Sequence, residues 1–216
     1  MIVASDLEGT LTTGRTWKGV GMWLKANGLT WPYQLFFLPR LPGSFIARIG
    51  VINKVDFGNS WIVDEVRLFK GFDQAHIDSM GACVVDQVMW PQRRQAVVAE
   101  LQRLRDEGYR TILTSGTYTP IAQAFARRAG FSDAIGTPLE MAAGVSTGKC
   151  DGPLNNKDIK AERLRSYLGN EPLDVAYGDT AADIPMMRMA RTAVAVYPDR
   201  DLRQAAQQNG WRVLES

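Results

Sequence analysis

The chain opens on Ile2-Val3-Ala4-Ser5-Asp6-Leu7-Glu8-Gly9-Thr10-Leu11-Thr12, and this stretch limits the possible folds more than any other. A short apolar run ends on two carboxylates one residue apart. Read as a strand, the period of two puts Asp6 and Glu8 on the same side at its C-terminal end. Gly9 lets the chain leave that strand sharply. Two acids at a strand end can hold a hard cation or act on a substrate phosphate. The same Asp-x-Glu-Gly pattern also occurs in turns, so its meaning depends on which partners follow, and in what order.

From about residue 91 onward the pattern is regular. Pro91 to Glu107 reads as a helix with Pro at its first position and Val97, Leu101 and Leu104 on one stripe, closed by Gly108. Thr111 to Thr114 is a short strand running into Ser115-Gly116, and Pro120 to Ala129 is a second helix. Phe131 to Thr147 reads as short strands and turns. Ile159 to Leu168 is a helix, and Leu173 to Tyr177 is a strand ending at Gly178-Asp179. A helix from about Ala182, a strand at Ala193 to Val196 and a helix near Leu202 to Gln208 complete the series. Alternating strands and helices with short links predict a parallel sheet covered on both faces. Ligands of such sheets bind beyond the C-terminal strand ends, where Asp6/Glu8, Ser115-Gly116 and Gly178-Asp179 are expected to gather.

Residues 13–90 have a different character. Five of the six tryptophans (Trp17, Trp23, Trp31, Trp61, Trp90) lie here. Helix-like spacing dominates, as in Trp61, Glu65, Leu68 and Phe69 or in Phe45, Ile49 and Ile52. Several short helices forming a second small unit are expected, giving a division into 1–12 with 91–216 and an insert of 13–90. The most apolar part, Trp31 to Ile52, is interrupted by Pro39, Arg40, Pro42 and Arg48, well short of the roughly 20 apolar residues of a membrane span. A buried or domain-docking face is expected there, and no stable membrane insertion.

The length of 216 residues is enough for a full core. A net charge of +2 gives no reason to invoke a nucleic-acid surface. Two cysteines, Cys83 and Cys150, form no disulfide framework or metal-site spacing, so a reducing, cytoplasmic setting is expected. The expected first strand starts at residue 2, ahead of which no signal peptide is expected. His76 is the only histidine, so any chemistry that needs a histidine base rests on one residue far in sequence from the carboxylates.

Each later motif has a plain structural reading beside the chemical one. Ser115-Gly116, between a strand and a helix start, can face an anion with its hydroxyl and backbone N–H groups, or Thr119 can simply cap a helix. A lysine near an aspartate and a phosphate neutralises their charge; Lys160 and Lys157 both qualify. Asp179 and Asp183 at a helix entrance can hold Mg²⁺, which takes oxygen ligands in octahedral geometry, with Asp6 and the Glu8 backbone carbonyl. They can equally be helix-start acids favoured by the dipole.

Taken in order, Asp-x-Glu-Gly-Thr-Leu-Thr, Leu-Thr-Ser-Gly, a lone Lys and Gly-Asp-x-x-x-Asp resemble the haloacid-dehalogenase-like superfamily. The insert after the first motif, and the segment Ile135 to Glu140 followed by Ser146-Thr147-Gly148, resemble its phosphoserine-phosphatase-like branch. The resemblance implies an α/β fold with a Rossmann-like parallel sheet, helices on both faces and a helical cap inserted after the first strand. It implies a Mg²⁺-dependent phosphatase acting on a small-molecule phosphomonoester through an aspartyl-phosphate. In that scheme Asp6 is the nucleophile and Glu8 the general acid and base. Ser115 holds the phosphoryl oxygens with Gly116 and Thr117, Lys160 pairs with Asp6 and the phosphate, and Asp179 joins Asp6 and Glu8 at the metal. Asp183 supports that metal shell or bonds Lys160.

The departures carry information too. Glu8 stands where an Asp is usual, a feature that also resembles phosphoserine:homoserine phosphotransferases. Transfer to a second alcohol is therefore an alternative, and a non-catalytic phosphate-binding protein a more distant one. The glutamate that true phosphoserine phosphatases carry nine residues after the nucleophile is Arg15 here, and their cap arginine has no counterpart around Ser60 to Val63. Phosphoserine is therefore disfavoured, and Arg15 and Trp17 are expected to face the leaving group. The sequence leaves the oligomeric state open.

Overall fold

The computed structural model describes residues 1–43 and 54–215. Its centre is β1 (Ile2–Ser5), four residues that are buried on both sides. Side chains alternate across it: Val3 joins one apolar cluster, while Ile2 and Ala4 join another. A strand covered on both faces needs apolar residues at every position, and Ile-Val-Ala supplies them. Around β1 the sheet has the order β3-β2-β1-β6-β7-β8, all parallel. Its other members are β2 (Arg110–Tyr118), β3 (Asp133–Thr137), β6 (Leu173–Gly178), β7 (Ala190–Val196) and β8 (Arg212–Leu214). A separate antiparallel hairpin is made by β4 (Leu139–Ala142) and β5 (Val145–Cys150).

The fold is therefore α/β, with a six-stranded parallel sheet and a helical insertion between β1 and β2. The insertion holds α1 (Thr16–Ala26), α2 (Thr30–Phe37), α3 (Lys54–Glu65) and α4 (Gln74–Val84). Next come α5 (Gln95–Asp106), α6 (Thr119–Ala129), α7 (Lys157–Leu168), the short α8 (Ile184–Met187) and α9 (Arg200–Asn209). One face of the sheet packs on α5, α6 and the insertion through Leu101, Phe125, Met80 and Val84. The opposite face packs on α7, α8 and α9 through Leu164, Leu168, Met187 and Leu202.

The insertion is stitched to the core. A side chain at Gly81 of α4 would put its Cβ 2.5 Å from the Pro120 carbonyl of α6, so this crossing admits only glycine. Tyr118, at the end of β2, meets Phe69 edge to face at 5.2 Å. The β4–β5 hairpin reaches the same region, where the Gly71 N–H donates to the Ser146 carbonyl and the Ser146 N–H to the Phe72 carbonyl, each at 2.8 Å.

Four expectations need correction. The helix expected from Pro91 begins at Gln95, because residues 91–94 are spent on the first motif. The Thr13 N–H donates to the Gln92 carbonyl at 3.0 Å, and the Arg94 N–H to the Leu11 carbonyl at 2.7 Å. Thr119 is the first residue of α6 and caps nothing with its side chain. Ser115 and Gly116 lie within β2, which runs on to Tyr118. The apolar segment from Trp31 is not buried where it is described: Trp31, Leu35, Leu38 and Leu41 are exposed and Tyr33 alone of α2 is buried. Phe45, Ile49 and Ile52 lie outside the described residues. Among the described residues no helix is long and apolar enough to cross a membrane.

Candidate active site

β1 leads outward through β2 to β3, and the chain then returns to place β6 on the other side of β1. At such a switch the loops leaving the two central strands part and open a crevice at their C-terminal ends. Asp6 follows β1 and Asp179 follows β6, so the two acids meet across that crevice. The Asp6 N–H donates to the Tyr177 carbonyl at 3.0 Å, which fixes the exit of β1 against β6.

Lys160 organises the cluster. It stands on the first turn of α7, buried, and its Nζ donates to Asp6 Oδ1 and to Asp183 Oδ1, both at 2.7 Å. Lys157, at the first position of the same helix, is exposed. The remaining oxygen of Asp183 accepts the backbone N–H groups of Asp179 and Thr180, each at 3.1 Å. Asp183 thus spends both oxygens on orienting Lys160 and the loop after β6. Thr10 donates to Asp179 Oδ1 at 3.1 Å and stands 3.5 Å from Asp6.

Electrostatics set this cluster apart from an ordinary ion pair. Burial pushes Asp6 up to about 6 despite the Lys160 ammonium beside it, with Asp183 adding to the rise. Burial also lifts Asp179 to about 8, with the charges of Asp6 and Asp183 behind it. Burial alone would depress the Lys160 ammonium, but Asp183 and Asp6 raise it above its ordinary value. Three carboxylates face one cation, and oxygens of Asp6, Asp179 and Asp183 lie within 4.8 Å of one another. A cluster of hard oxygens with surplus negative charge suits a divalent cation. Gly9 makes room for it: at φ +99° its missing Cβ would fall 1.9 Å from Asp179 Oδ2.

Glu8 sits at the edge of the cluster. Its Oε1 accepts the backbone N–H of Thr16 at 3.1 Å and also the Thr16 hydroxyl. Thr16 opens α1, so the extra methylene of Glu8 reaches across to the first turn of the insertion. The Thr16 hydroxyl lies 2.7 Å from that of Thr117, linking Glu8 to β2. Arg15 approaches Glu8 Oε2 at 3.7 Å from a half-exposed position. Trp17 is a third exposed and packs against Phe37 and Trp61. Ser115 is buried, its Oγ 3.4 Å from the Thr117 N–H.

Two supporting residues carry no sequence signal. Asn155, fully buried, donates to Thr114 Oγ1, the Ser115 carbonyl and the Ile135 carbonyl at 2.9–3.1 Å. It spans the place where the β2–β3 register is interrupted, between Thr114 and Tyr118. Nothing but the turn-prone composition of Asp151 to Asn156 marked it. Arg94 donates through Nε to the Gly9 carbonyl at 2.8 Å, and its guanidinium lies 3.8 Å over the Tyr197 ring. Arg94 precedes a helix and reads there as an ordinary surface charge.

A family model for haloacid dehalogenase-like hydrolases matches residues 3–188. The chain belongs to this family. Phosphatases are among its homologues. A phosphoserine phosphatase of Mycobacterium tuberculosis (strain ATCC 25618 / H37Rv) is 31% identical over 154 residues, which cover 68% of this chain and 49% of that protein. A histidinol-phosphatase of Neisseria meningitidis serogroup C (strain 8013) is 30% identical over 151 residues, 64% of each chain. The chain thus spans about half the length of the mycobacterial relatives it matches. A structure of a Bordetella pertussis Tohama I protein of unknown function superposes with a TM-score of 0.80 at 18% identity, covering 99% of this chain and 97% of that one. A phospho-aspartyl intermediate analogue of phosphoserine phosphatase gives 0.63 at 18% identity, covering 100% and 93%.

Proposed function

We propose that this chain is a Mg²⁺-dependent phosphatase that hydrolyses a small-molecule phosphomonoester through an aspartyl-phosphate on Asp6. The observation that carries this reading is the buried bridge of Lys160 between Asp6 and Asp183 beside Asp179. A surface ion pair would need none of that burial, and a purely structural one would not leave surplus carboxylates around it.

In the first step Asp6 attacks phosphorus and the bond to the leaving oxygen breaks, while the Glu8 carboxyl gives that oxygen its proton. In the second step a water molecule attacks the same phosphorus, its proton passes to the Glu8 carboxylate, and the Asp6 carboxylate is released. Lys160 holds Asp6 in place and offsets charge on the phosphoryl group. Ser115, with Gly116 and Thr117, receives the phosphoryl oxygens. Asp6, Asp179 and the Glu8 main-chain carbonyl would hold the metal, with Asp183 supporting that shell through Lys160 and the Asp179 N–H. A bound Mg²⁺ supplies positive charge that lets an anionic nucleophile approach an anionic ester. Residues 1–12 with 91–216 form the catalytic unit in this reading and 13–90 the cap, where Arg15 and Trp17 meet the leaving group.

The test is phosphate release from p-nitrophenyl phosphate and a panel of small phosphomonoesters, with and without Mg²⁺, beside Asp6→Asn. Mg²⁺-dependent release that Asp6→Asn abolishes is the expected result. Release that survives the substitution, or that ignores the metal, would overturn the mechanism. Acceptor alcohols added to the same assay separate hydrolysis from transfer, since a transferase forms a new phosphoester in proportion to the acceptor.

A further inference from the structure

From Gly9 to Val55 the sequence contains no aspartate or glutamate. It carries Arg15, Lys18, Lys25, Arg40, Arg48 and Lys54, in a chain whose 23 acids nearly balance its 25 bases. The positive charge of this stretch exceeds the +2 of the whole chain. Within it, α2 is apolar on both sides. Tyr33 faces inward, buried and stacked on Phe37 at 5.6 Å. On the opposite side Trp31, Leu35 and Leu38 recur at helical spacing, 75%, 72% and 58% exposed, and Leu41 is exposed one turn further on. A helix that is apolar all round is ordinarily covered all round. The surface helix α9 shows the usual contrast, turning Arg200, Asp201, Gln204 and Gln207 to solvent.

Charge and shape decide what covers this face. Lys18 and Lys25 are exposed on α1, on one stripe with the exposed Met22. Lys25 Nζ stands 5.6 Å from the centre of the Tyr33 ring, which places it beside α2. Asp64 on the neighbouring α3 is paired with Arg40 at 2.6 Å and with Arg67 at 3.2 Å, so its charge is compensated. The apolar face is thus fringed by positive charge. A second copy of this chain, docking through the same patch, would bring two such fringes together. A protein partner anchors its contacts in hollows, whereas side chains as exposed as Trp31 and Leu35 stand out from the surface. A bilayer receives projecting leucines and a tryptophan at its headgroup boundary, and its anionic lipids attract the lysines.

We propose that the insertion docks on an anionic phospholipid bilayer through Trp31, Leu35, Leu38 and Leu41. It lies on the bilayer and does not cross it, since no described helix is long and apolar enough to span one. The four side chains enter the headgroup boundary, and Lys18 and Lys25 meet the phosphates beside them. With few apolar anchors and two flanking lysines, the contact is reversible and weakens as salt rises. This inference is independent of the chemistry at Asp6.

The test is co-sedimentation of the full chain with vesicles of phosphatidylcholine alone and of equal parts phosphatidylcholine and phosphatidylglycerol. The chain should pellet with the mixed vesicles, remain largely in the supernatant with phosphatidylcholine, and be released from the mixed vesicles by added salt. Leu35→Ser should lower the partition coefficient by about tenfold or more, and Lys25→Gln by about fivefold. Val213→Ser, at an exposed apolar position on the edge strand β8, should leave it unchanged. All three substitutions fall on exposed positions, and thermal melts establish that the variants are folded. No recovery with the mixed vesicles, or recovery that Leu35→Ser leaves intact, overturns the proposal. So does self-association without lipid that Leu35→Ser abolishes, because a second copy would then be what covers the face.

Discussion

Lys157 and Lys160 lie within one turn at the start of α7, and only the order of the motifs favours Lys160 in the sequence. Their surroundings separate them: the Lys160 ammonium is buried between two carboxylates, while Lys157 is exposed. Lys160→Ala should lower kcat by roughly 10²–10³, the range found when a preorganised charge is removed from a developing anion. Lys157→Ala should stay within about twofold in the same steady-state assay. Equal losses would mean that α7 matters as a scaffold and Lys160 as nothing more. Gly9 allows a second residue-level test. Gly9→Ala must place a methyl group where Asp179 Oδ2 now sits, at a backbone φ of +99° that side chains rarely adopt. The Mg²⁺ concentration for half-maximal activity should rise at least about tenfold, because Asp179 is displaced from Asp6. An unchanged metal titration would show that Asp179 is not a ligand.

At the scale of elements, the central strands were legible because each is an apolar run ended by glycine or an acid. β1 and β6 were readable this way, and the body of α5 by its apolar stripe of Val97, Leu101 and Leu104. β8 was not, since Arg212-Val213-Leu214 is an edge strand of three residues that gains its identity from pairing with β7. The start of α5 was misplaced because Pro91 suits a helix entrance locally, while Thr12, Thr13 and Leu11 claim that segment from 80 residues away. The same division holds at the site. Asp6, Lys160 and Asp179 stand at strand ends and a helix start and could be read in order. Asn155 and Arg94 act on residues 40 and 85 positions away, so their roles exist only in the folded chain. Glu65, buried at the end of α3, is of this second kind, and its burial has a consequence for stability. Its carboxyl releases a proton near 8 in the folded chain, against an ordinary 4.5. Between those values the folded state holds more protons than the unfolded one, so stability falls as pH rises through that window. Glu65→Gln removes the titration. Its melting temperature relative to wild type should therefore climb from pH 5 to pH 8, by an amount on the order of 10 °C, reflecting a few kcal/mol. A difference that does not change with pH would mean that Glu65 titrates alike in both states.

For the whole molecule, the proposed metal at the acidic cluster would couple its binding to the stability of the sheet. Asp6 and Asp179 leave the two central strands, and Lys160 and Asp183 come from elements packed on one face of that sheet. Unfolding separates all four, so a cation that bridges them binds the folded chain and has little affinity for the unfolded one. Linkage then fixes both sign and size. At about 100 times its Kd, Mg²⁺ should add roughly 2.7 kcal/mol, equivalent to about 5–10 °C in melting temperature for a chain of this length. Asp179→Asn should lose most of this shift. It should also raise the melting temperature of the metal-free protein, because one buried carboxylate among three is gone. The two effects of opposite sign in one variant distinguish a specific site from general salt screening, which would move wild type and variant alike. The fold has accepted a crowded set of acids at its central strands, and its stability without the metal should be correspondingly reduced. A Mg²⁺ titration of the melting temperature that leaves the wild type unmoved, or moves Asp179→Asn equally, would show that the cluster holds together through Lys160 alone.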